Sequence, residues 1–224
     1  MAPLRSFNAA LAVGALLWPG SFVHAKAGDR ARQNDSELAF HALDGAFACM
    51  MRRNPGRVRA YMGTVPGSAR EHSIGSYLYR QLGSCLSKAS AVGMSGAMAR
   101  GIAAERLLAA DFGRLPPPVA PIRPEEFGPL AEPMTVSGEI ATAYTFARCM
   151  VIADPAAVRN LTGTGRGSPA EASALRTMAP RFPSCVVRGA TLKTDRWTLR
   201  PFLAEALYQV YRSRAGDSNA RTVS

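Results

Sequence analysis

The segment from Cys49 to Leu107 occurs twice in this chain, at a constant offset of 100 residues and without a gap. Cys49-Met50 returns as Cys149-Met150, Pro55 as Pro155, and Val58-Arg59 as Val158-Arg159. Gly63-Thr64 and Gly67-Ser68 return as Gly163-Thr164 and Gly167-Ser168, and Glu71 and Ser73 as Glu171 and Ser173. Ser84-Cys85 returns as Ser184-Cys185, and Arg100, Ala104-Glu105 and Leu107 as Arg200, Ala204-Glu205 and Leu207. These are 17 identities over the 59 positions from 49 to 107, where chance would give roughly four or five for an ordinary composition. A repeat of this length fixes the architecture before any single motif does. One copy alone would bury only a thin core, so the copies are expected to pack together and to be cross-linked.

The cross-links are the four cysteines. In an exported chain an even cysteine count reads as a disulfide framework, and four allow three pairings. The repeat selects one of them: Cys49 and Cys85 are 36 residues apart, and so are Cys149 and Cys185. One bridge inside each copy closes a loop worth about 4 kcal/mol in the chain-entropy description. A zinc site is disfavoured, because no C-x-x-C occurs and only His41 and His72 remain after the leader.

Residues 1–25 read as that leader. Arg5 supplies a positive start, Ala9 to Trp18 is an apolar run of about ten residues, and Val23-His24-Ala25 offers small residues at the cleavage positions. The run is too short to cross a bilayer, and no later run is long enough. The high alanine, arginine, glycine and proline content is that of a GC-rich bacterial genome, which makes the expected location periplasmic or secreted.

Within each copy the pattern is helical. Leu38, Ala42, Gly45, Ala46 and Cys49 share one helical face, and Ile140, Ala143, Ala147, Met150 and Val151 make a similar stripe. Pro55 and Pro155 end these helices and open a short helical turn. The next helix starts on a capping box, Ser68 with Glu71 and Ser168 with Glu171, in which the serine caps and the glutamate reaches back. Gly-rich loops entering helices can also cradle phosphate, but no lysine follows Gly67-Ser68 or Gly167-Ser168, so the cap is the preferred reading. The last helix begins near Ser95 and near Asp195, with Ile102, Ala103, Leu107 and Ala110 answering Phe202, Leu203, Leu207 and Val210. Pro201 falls in a first turn if Thr198 is the cap and inside the helix if Asp195 is.

The fold class is therefore all-α: two tandem pseudo-symmetric three-helix units, each with one internal disulfide, joined by a Pro-rich extended linker. The first unit spans 36–112, the linker 113–134, the second unit 135–212, and 213–224 is a polar, disordered tail. Residues 26–35 are expected to fray. Seven of the twenty residues from 114 to 133 are proline, a composition that favours extended polyproline conformation over helix.

The net charge of +11 has two readings: attraction to an anionic partner, or the arginine usage of a GC-rich genome on a solvated surface. Arg52, Arg53, Arg57 and Arg59 cluster around Pro55 as a candidate anion-binding group, whereas the second copy retains only Arg159. Nucleic acid is disfavoured, since Tyr61 is the one aromatic residue near the cluster. Both copies keep Arg59/Arg159, Arg100/Arg200 and Glu105/Glu205. These read as structural ion pairs, Glu105 with Arg59 or Arg100 and Glu205 likewise, because a carboxylate withdrawn from water needs such a partner.

Catalytic signatures are weak. Glu71-His72-Ser73 cannot act as a trio, because neighbours on a helix point to different faces, and the second copy lacks the histidine. Ser95 in Gly93-Met94-Ser95-Gly96-Ala97 is better read as a helix cap than as a nucleophile elbow. No cofactor motif is present. The expected activity is binding of an anionic envelope component or an acidic protein, with no membrane span after leader removal. The rivals are an envelope enzyme with an Arg/Glu site between the units, and an inhibitor or regulator of a secreted enzyme.

Overall fold

A computed structural model describes residues 27–86, 96–118, 121–130, 138–189 and 196–221. The leader at 1–25, Ser95 and Asp195 lie outside the described residues, as does the junction before the second unit. All described secondary structure is helical, with no strand among these residues.

The elements in order are α1 (Ala27–Arg53), α2 (Pro55–Met62), α3 (Ala69–Leu82), α4 (Gly96–Phe112), a 3-10 turn (Pro124–Phe127), α5 (Gly138–Ala153) and α6 (Pro155–Gly163). They continue with α7 (Pro169–Met178), a second 3-10 turn (Ala179–Arg181), α8 (Phe182–Cys185) and α9 (Arg196–Arg221). Proline sets the first breaks. Asn54 and Asp154 leave helical geometry before Pro55 and Pro155, as a residue preceding proline must. Each proline then occupies a first-turn position, where its missing N–H costs nothing. Asp154 also accepts the Ala157 N–H at 2.9 Å. Further on, Pro180 and Pro183 divide into three short pieces, α7, the 3-10 turn and α8, what α3 spans in one run.

The cysteines pair as their equal spacing predicts. Cys49 near the end of α1 is bonded to Cys85 just beyond α3, and Cys149 on α5 to Cys185 at the end of α8. The first bridge thus ties α1 to the segment that follows α3, and the second ties α5 to α8.

At the centre α4 and α9 make the most extensive helix–helix contact of the fold. Their closest approach is at Gly101, where an added Cβ would lie 2.2 Å from the Cβ of Pro201 and 2.6 Å from its backbone. Gly101 and Pro201 occupy positions 100 residues apart. Ile102, Ala103, Ala104 and Leu107 of α4 and Leu203, Ala204 and Leu207 of α9 are all fully buried around this contact. One continuous apolar core surrounds it.

Several expectations are corrected. The buried stripe of α1 is Phe40, Leu43, Ala46, Phe47 and Met50, while Leu38 is 69% exposed. The apolar face is rotated because Phe40 and Phe47 have more area to bury than Leu38 and Ala42. Ala110 of α4 is exposed as well. The stretch expected to fray is helical from Ala27 onward, since polar helix formers do not by themselves exclude a helix. The tail is not a coil from residue 213, because α9 continues to Arg221. Arg214 donates to Glu126 at 2.5 Å and Tyr211 donates to the Pro116 carbonyl at 2.6 Å. The region 113–134 does not exclude helix, since Pro124 opens a 3-10 turn that buries Ile122 and Phe127. With α9 running from Arg196, Pro201 sits inside the helix and not in a first turn opened by Thr198.

Gly101→Ala should lower the unfolding free energy by about 3 kcal/mol, because two backbones must separate to admit one methyl group. Gly45→Ala, where an added Cβ meets nothing within 4 Å, should raise it by about 1 kcal/mol. Urea unfolding of both variants checks the pair, and equal effects would contradict the central contact.

Candidate functional site

Two arginines at positions 100 residues apart are buried. Arg100 is 0% exposed and Arg200 3%. A buried guanidinium must find an acceptor for each of its donors, and the loops leading into α3 and α7, with the capping glutamates of those helices, supply most of them. Arg100 donates from Nη1 to the Tyr61 carbonyl (3.1 Å), Thr64 Oγ1 (2.9 Å) and Glu71 Oε1 (3.3 Å), and from Nη2 to the Thr64 carbonyl (3.2 Å). Arg200 donates from Nη1 to Thr164 Oγ1 (3.1 Å) and Glu171 Oε1 (2.8 Å), and from Nη2 to the carbonyls of Thr162 (3.2 Å) and Thr164 (2.8 Å).

The remaining donor, Nε, reaches across to the other unit. Arg100 Nε donates to Glu205 Oε1 at 2.6 Å, and Arg200 Nε donates to both Glu105 oxygens at 3.3 Å. The expected pairing of Glu105 with Arg59 or Arg100 is therefore corrected. Residues 100 and 105 are five apart on one helix, about 140° around its axis, and cannot face each other. The contact of α4 with α9 places each arginine beside the other helix's glutamate instead. Arg59 pairs with Asp111, at 2.9 and 2.5 Å. Arg159 meets no carboxylate; it donates to the carbonyls of Phe112 and Gly113 at 3.1 and 2.9 Å.

The caps are built into the same networks. Ser68 Oγ accepts the Glu71 N–H and Ser168 Oγ the Glu171 N–H, both at 3.1 Å. The glutamates do not bond back to the serine N–H, which is already taken by Val65 or Gly165. They accept instead the N–H of Gly67 (2.5 Å) and Gly167 (2.7 Å), glycines with φ of +82° and +70°. Glu71 and Glu171 thus have one oxygen in the cap and one on the buried arginine.

The two networks are completed differently. In the first, Glu205 Oε2 accepts the Tyr144 hydroxyl at 2.9 Å. Burial raises Tyr144 well above the ordinary tyrosine range and Glu205 adds to the rise, so the phenol stays a donor. Burial works against the Arg100 charge, but Glu205, Tyr144 and Glu71 outweigh it and raise its pKa. In the second network Arg166 bonds to Glu105 and stacks over Phe40, its guanidinium carbon 3.6 Å from the ring centroid. Burial is the largest influence on both partners: it lowers Arg166 to about 10 and raises Glu105. Thr64, Thr164, Glu71 and Glu171 are legible beforehand, because all are repeated. The sequence carries no signal for Tyr144, Arg166 or Asp111, which are not.

The expected anion-binding cluster divides. Arg59 is neutralised by Asp111. Arg53 donates to Ser84 Oγ at 2.9 Å, Arg57 stacks 4.8 Å over the Tyr77 ring, and Arg52 is exposed. Arg80 follows Tyr77 by three residues on α3 and shares its face. Among the described residues no carboxylate lies within ion-pair distance of Arg52, Arg53, Arg57 or Arg80. The positions 100 residues on are Ile152, Ala153, Ala157 and Pro180, so this basic end belongs to the first unit alone.

A cavity of about 80 Å³ lies between the units, lined by Thr64, Tyr144, Arg148, Glu205, Gln209 and Arg212 among others. His72 and Ser73 are exposed on α3. Among the described residues no group of three or more His, Cys, Asp or Glu could hold a metal ion, and no helix is long and apolar enough to cross a membrane. No protein-family model matches the chain, and neither a curated protein nor a solved structure matches it.

Arg100→Met should destabilise the fold by about 3–5 kcal/mol, because Glu71 and Glu205 keep their buried charge without its partner. Arg100→Met combined with Glu205→Gln should cost less than the sum of the single changes, with a coupling of about 1–3 kcal/mol. A urea double-mutant cycle measures this, and strict additivity would contradict the pairing across units. A separate expectation concerns acid. The hydrogen bond from Arg214 holds Glu126 below its ordinary value of 4.5. Its contribution is complete above that value and is lost as pH falls through the depressed one. The stability gap between wild type and Glu126→Gln at pH 7 should therefore close in acid; a gap independent of pH would contradict the assignment.

Proposed function

We propose that the chain is an exported protein, periplasmic or secreted, that binds an anionic component of the cell envelope or an acidic protein partner. It would be built as two tandem pseudo-symmetric three-helix units joined by the proline-rich stretch 113–134. The observation carrying this reading is the basic end formed by Arg52, Arg53, Arg57 and Arg80, four exposed arginines without a carboxylate partner among the described residues. Uncompensated guanidinium groups on a rigid surface attract anions and recognise phosphate and carboxylate groups. Here the rigidity comes from the Cys49–Cys85 bridge, which ties the end of α1 to the end of α3. Two internal disulfides suit an oxidising compartment, and the expected leader at 1–25 agrees with that placement.

The enzyme reading would draw on a carboxylate free to act in the cleft between the units. Glu205 lines that cleft, but one of its oxygens is held by Arg100 and the other by Tyr144. That arrangement favours a structural role for Glu205, and with it the binding reading.

Sedimentation with vesicles tests the proposal, using anionic phosphatidylglycerol mixtures against neutral ones and an anionic wall polymer as a second arm. Each arginine at an anionic surface is worth about 1 kcal/mol, so the Arg52→Ala/Arg53→Ala/Arg57→Ala variant should bind about a hundredfold more weakly. Its dependence on salt should flatten. Equal binding by wild type and variant in both arms would overturn the reading.

A further inference from the structure

We propose that the cleft between the Gly63–Pro66 loop, α5 and α9 is a binding site for a small carboxylate, held by the guanidinium groups of Arg148 and Arg212 with the Gln209 amide beside them. All three side chains line the cavity, and none has a carboxylate partner. Arg148 donates only from Nη2, to the carbonyls of Phe127 (3.4 Å) and Gly128 (2.9 Å). Arg212 donates from Nη1 to the Met62 carbonyl at 3.2 Å, and Gln209 donates to the same oxygen at 3.0 Å. Both guanidinium groups keep further N–H donors without a protein acceptor among the described residues.

The local charge asks for one negative group. Arg100, Glu71 and Glu205 together leave a net −1, and their hydrogen bonds are spent on one another, on Tyr144 and on Gly67. Arg148 and Arg212 turn the sum to +1, which a single carboxylate cancels. Burial lowers the pKa of Arg148, against the opposing pull of Glu205 and Tyr144, so its charge is held without full compensation. An anion beside it would supply that compensation.

Size and lining select the class of ligand. The cavity encloses about 80 Å³, roughly half the 150 Å³ that accepts benzene in a dry core. That admits a carboxylate with one or two carbons. Val65, Pro66, Phe127 and Pro129 give the rest of the lining an apolar character suited to a short alkyl chain. The positions 100 residues from Tyr144, Arg148, Gln209 and Arg212 are Asp44, Ala48, Ala109 and Phe112. The repeat therefore supplies the frame of the cleft, and the donors are particular to this one.

Isothermal titration calorimetry and amide chemical shifts test the site in the whole chain. The ligands are propionate; N-acetylalanine, whose carboxylate and methyl group match propionate and whose acetamido group would project from the mouth of the cleft, as the carboxylate end of a peptide; and propionamide as an uncharged control. Propionate should bind saturably at one site and propionamide should not bind. Tighter binding of N-acetylalanine would identify a peptide terminus as the source of the carboxylate, and tighter binding of propionate a free acid. Amides of Val65, Gly128 and Ala206 should shift. Arg148→Met and the exposed Arg212→Gln should each weaken propionate binding about tenfold, and Arg212→Gln carries the test alone should Arg148→Met fail to fold. The Arg52→Ala/Arg53→Ala/Arg57→Ala variant should bind propionate like wild type, which separates this site from the basic end. Absence of saturation, equal binding by Arg212→Gln, or shifts confined to the basic end would overturn the proposal.

Discussion

An arginine can be buried on each of the two central helices because a glutamate from the other helix comes to meet it. Arg100 reaches Glu205 and Arg200 reaches Glu105, and neither carboxylate could serve the arginine on its own helix. Burying a guanidinium and a carboxylate costs several kcal/mol per ion before their attraction returns it. The return is complete only when every donor is used, and the caps of α3 and α7 provide for this through Glu71, Glu171, Thr64 and Thr164. The reciprocal pairs therefore act less as a source of stability than as a register. A slip of α4 along α9 by one turn would strand two arginines and two glutamates in an apolar core, a far larger penalty than the loss of a few methyl contacts.

That register depends on a close approach that few residue pairs allow. Gly101 leaves room for Pro201, and the proline removes a donor from α9 at the point where a neighbouring backbone covers it. Bulkier residues at 101 would hold the helices apart and lengthen the Nε–carboxylate bonds on both sides of the contact. The two disulfides act at the opposite ends of the units, where α1 meets α3 and α5 meets α8. Covalent links fix each unit internally, while the junction between units rests on shape and charge.

How much of this was legible in the sequence follows from what repetition does and does not record. The helical class, the cysteine pairing, the serine caps and the pairs of arginines and glutamates were all visible, because each is written twice. Which arginine meets which glutamate was not, since identical residues in both copies fit pairing within a unit or across units equally well. Only the geometry of α4 against α9 decides. Polarity misleads at the chain ends: 27–35 and 213–221 are rich in polar residues, yet they belong to α1 and α9. For α9 the reason is long-range, Arg214 to Glu126 and Tyr211 to Pro116, and no local pattern announces a contact about ninety residues away. Periodicity alone puts Leu38 on the buried stripe, although Phe40, about 200° further round the helix, has the larger side chain and is the one buried.

The differences between the copies are as informative as the identities. Where the first network closes with the neutral Tyr144, the second closes with the charged Arg166, whose Nη1 finds no hydrogen-bond partner in the protein. The Phe40 ring below it is a poorer substitute for an acceptor, and desolvation lowers the arginine accordingly. Arg166 thus neutralises Glu105 from inside the fold and leaves the second network without net charge. The first network retains its negative charge, and the arginines that offset it, Arg148 and Arg212, line an open cleft. The frame thus balances its charge internally on one side and leaves it to be balanced across a cavity on the other. The basic end around Arg52 to Arg57 lies in the first copy of the repeat, whereas Arg148, Gln209 and Arg212 lie in the second, so each copy has departed from the shared pattern at a different place while both keep the arginine and glutamate of the central contact.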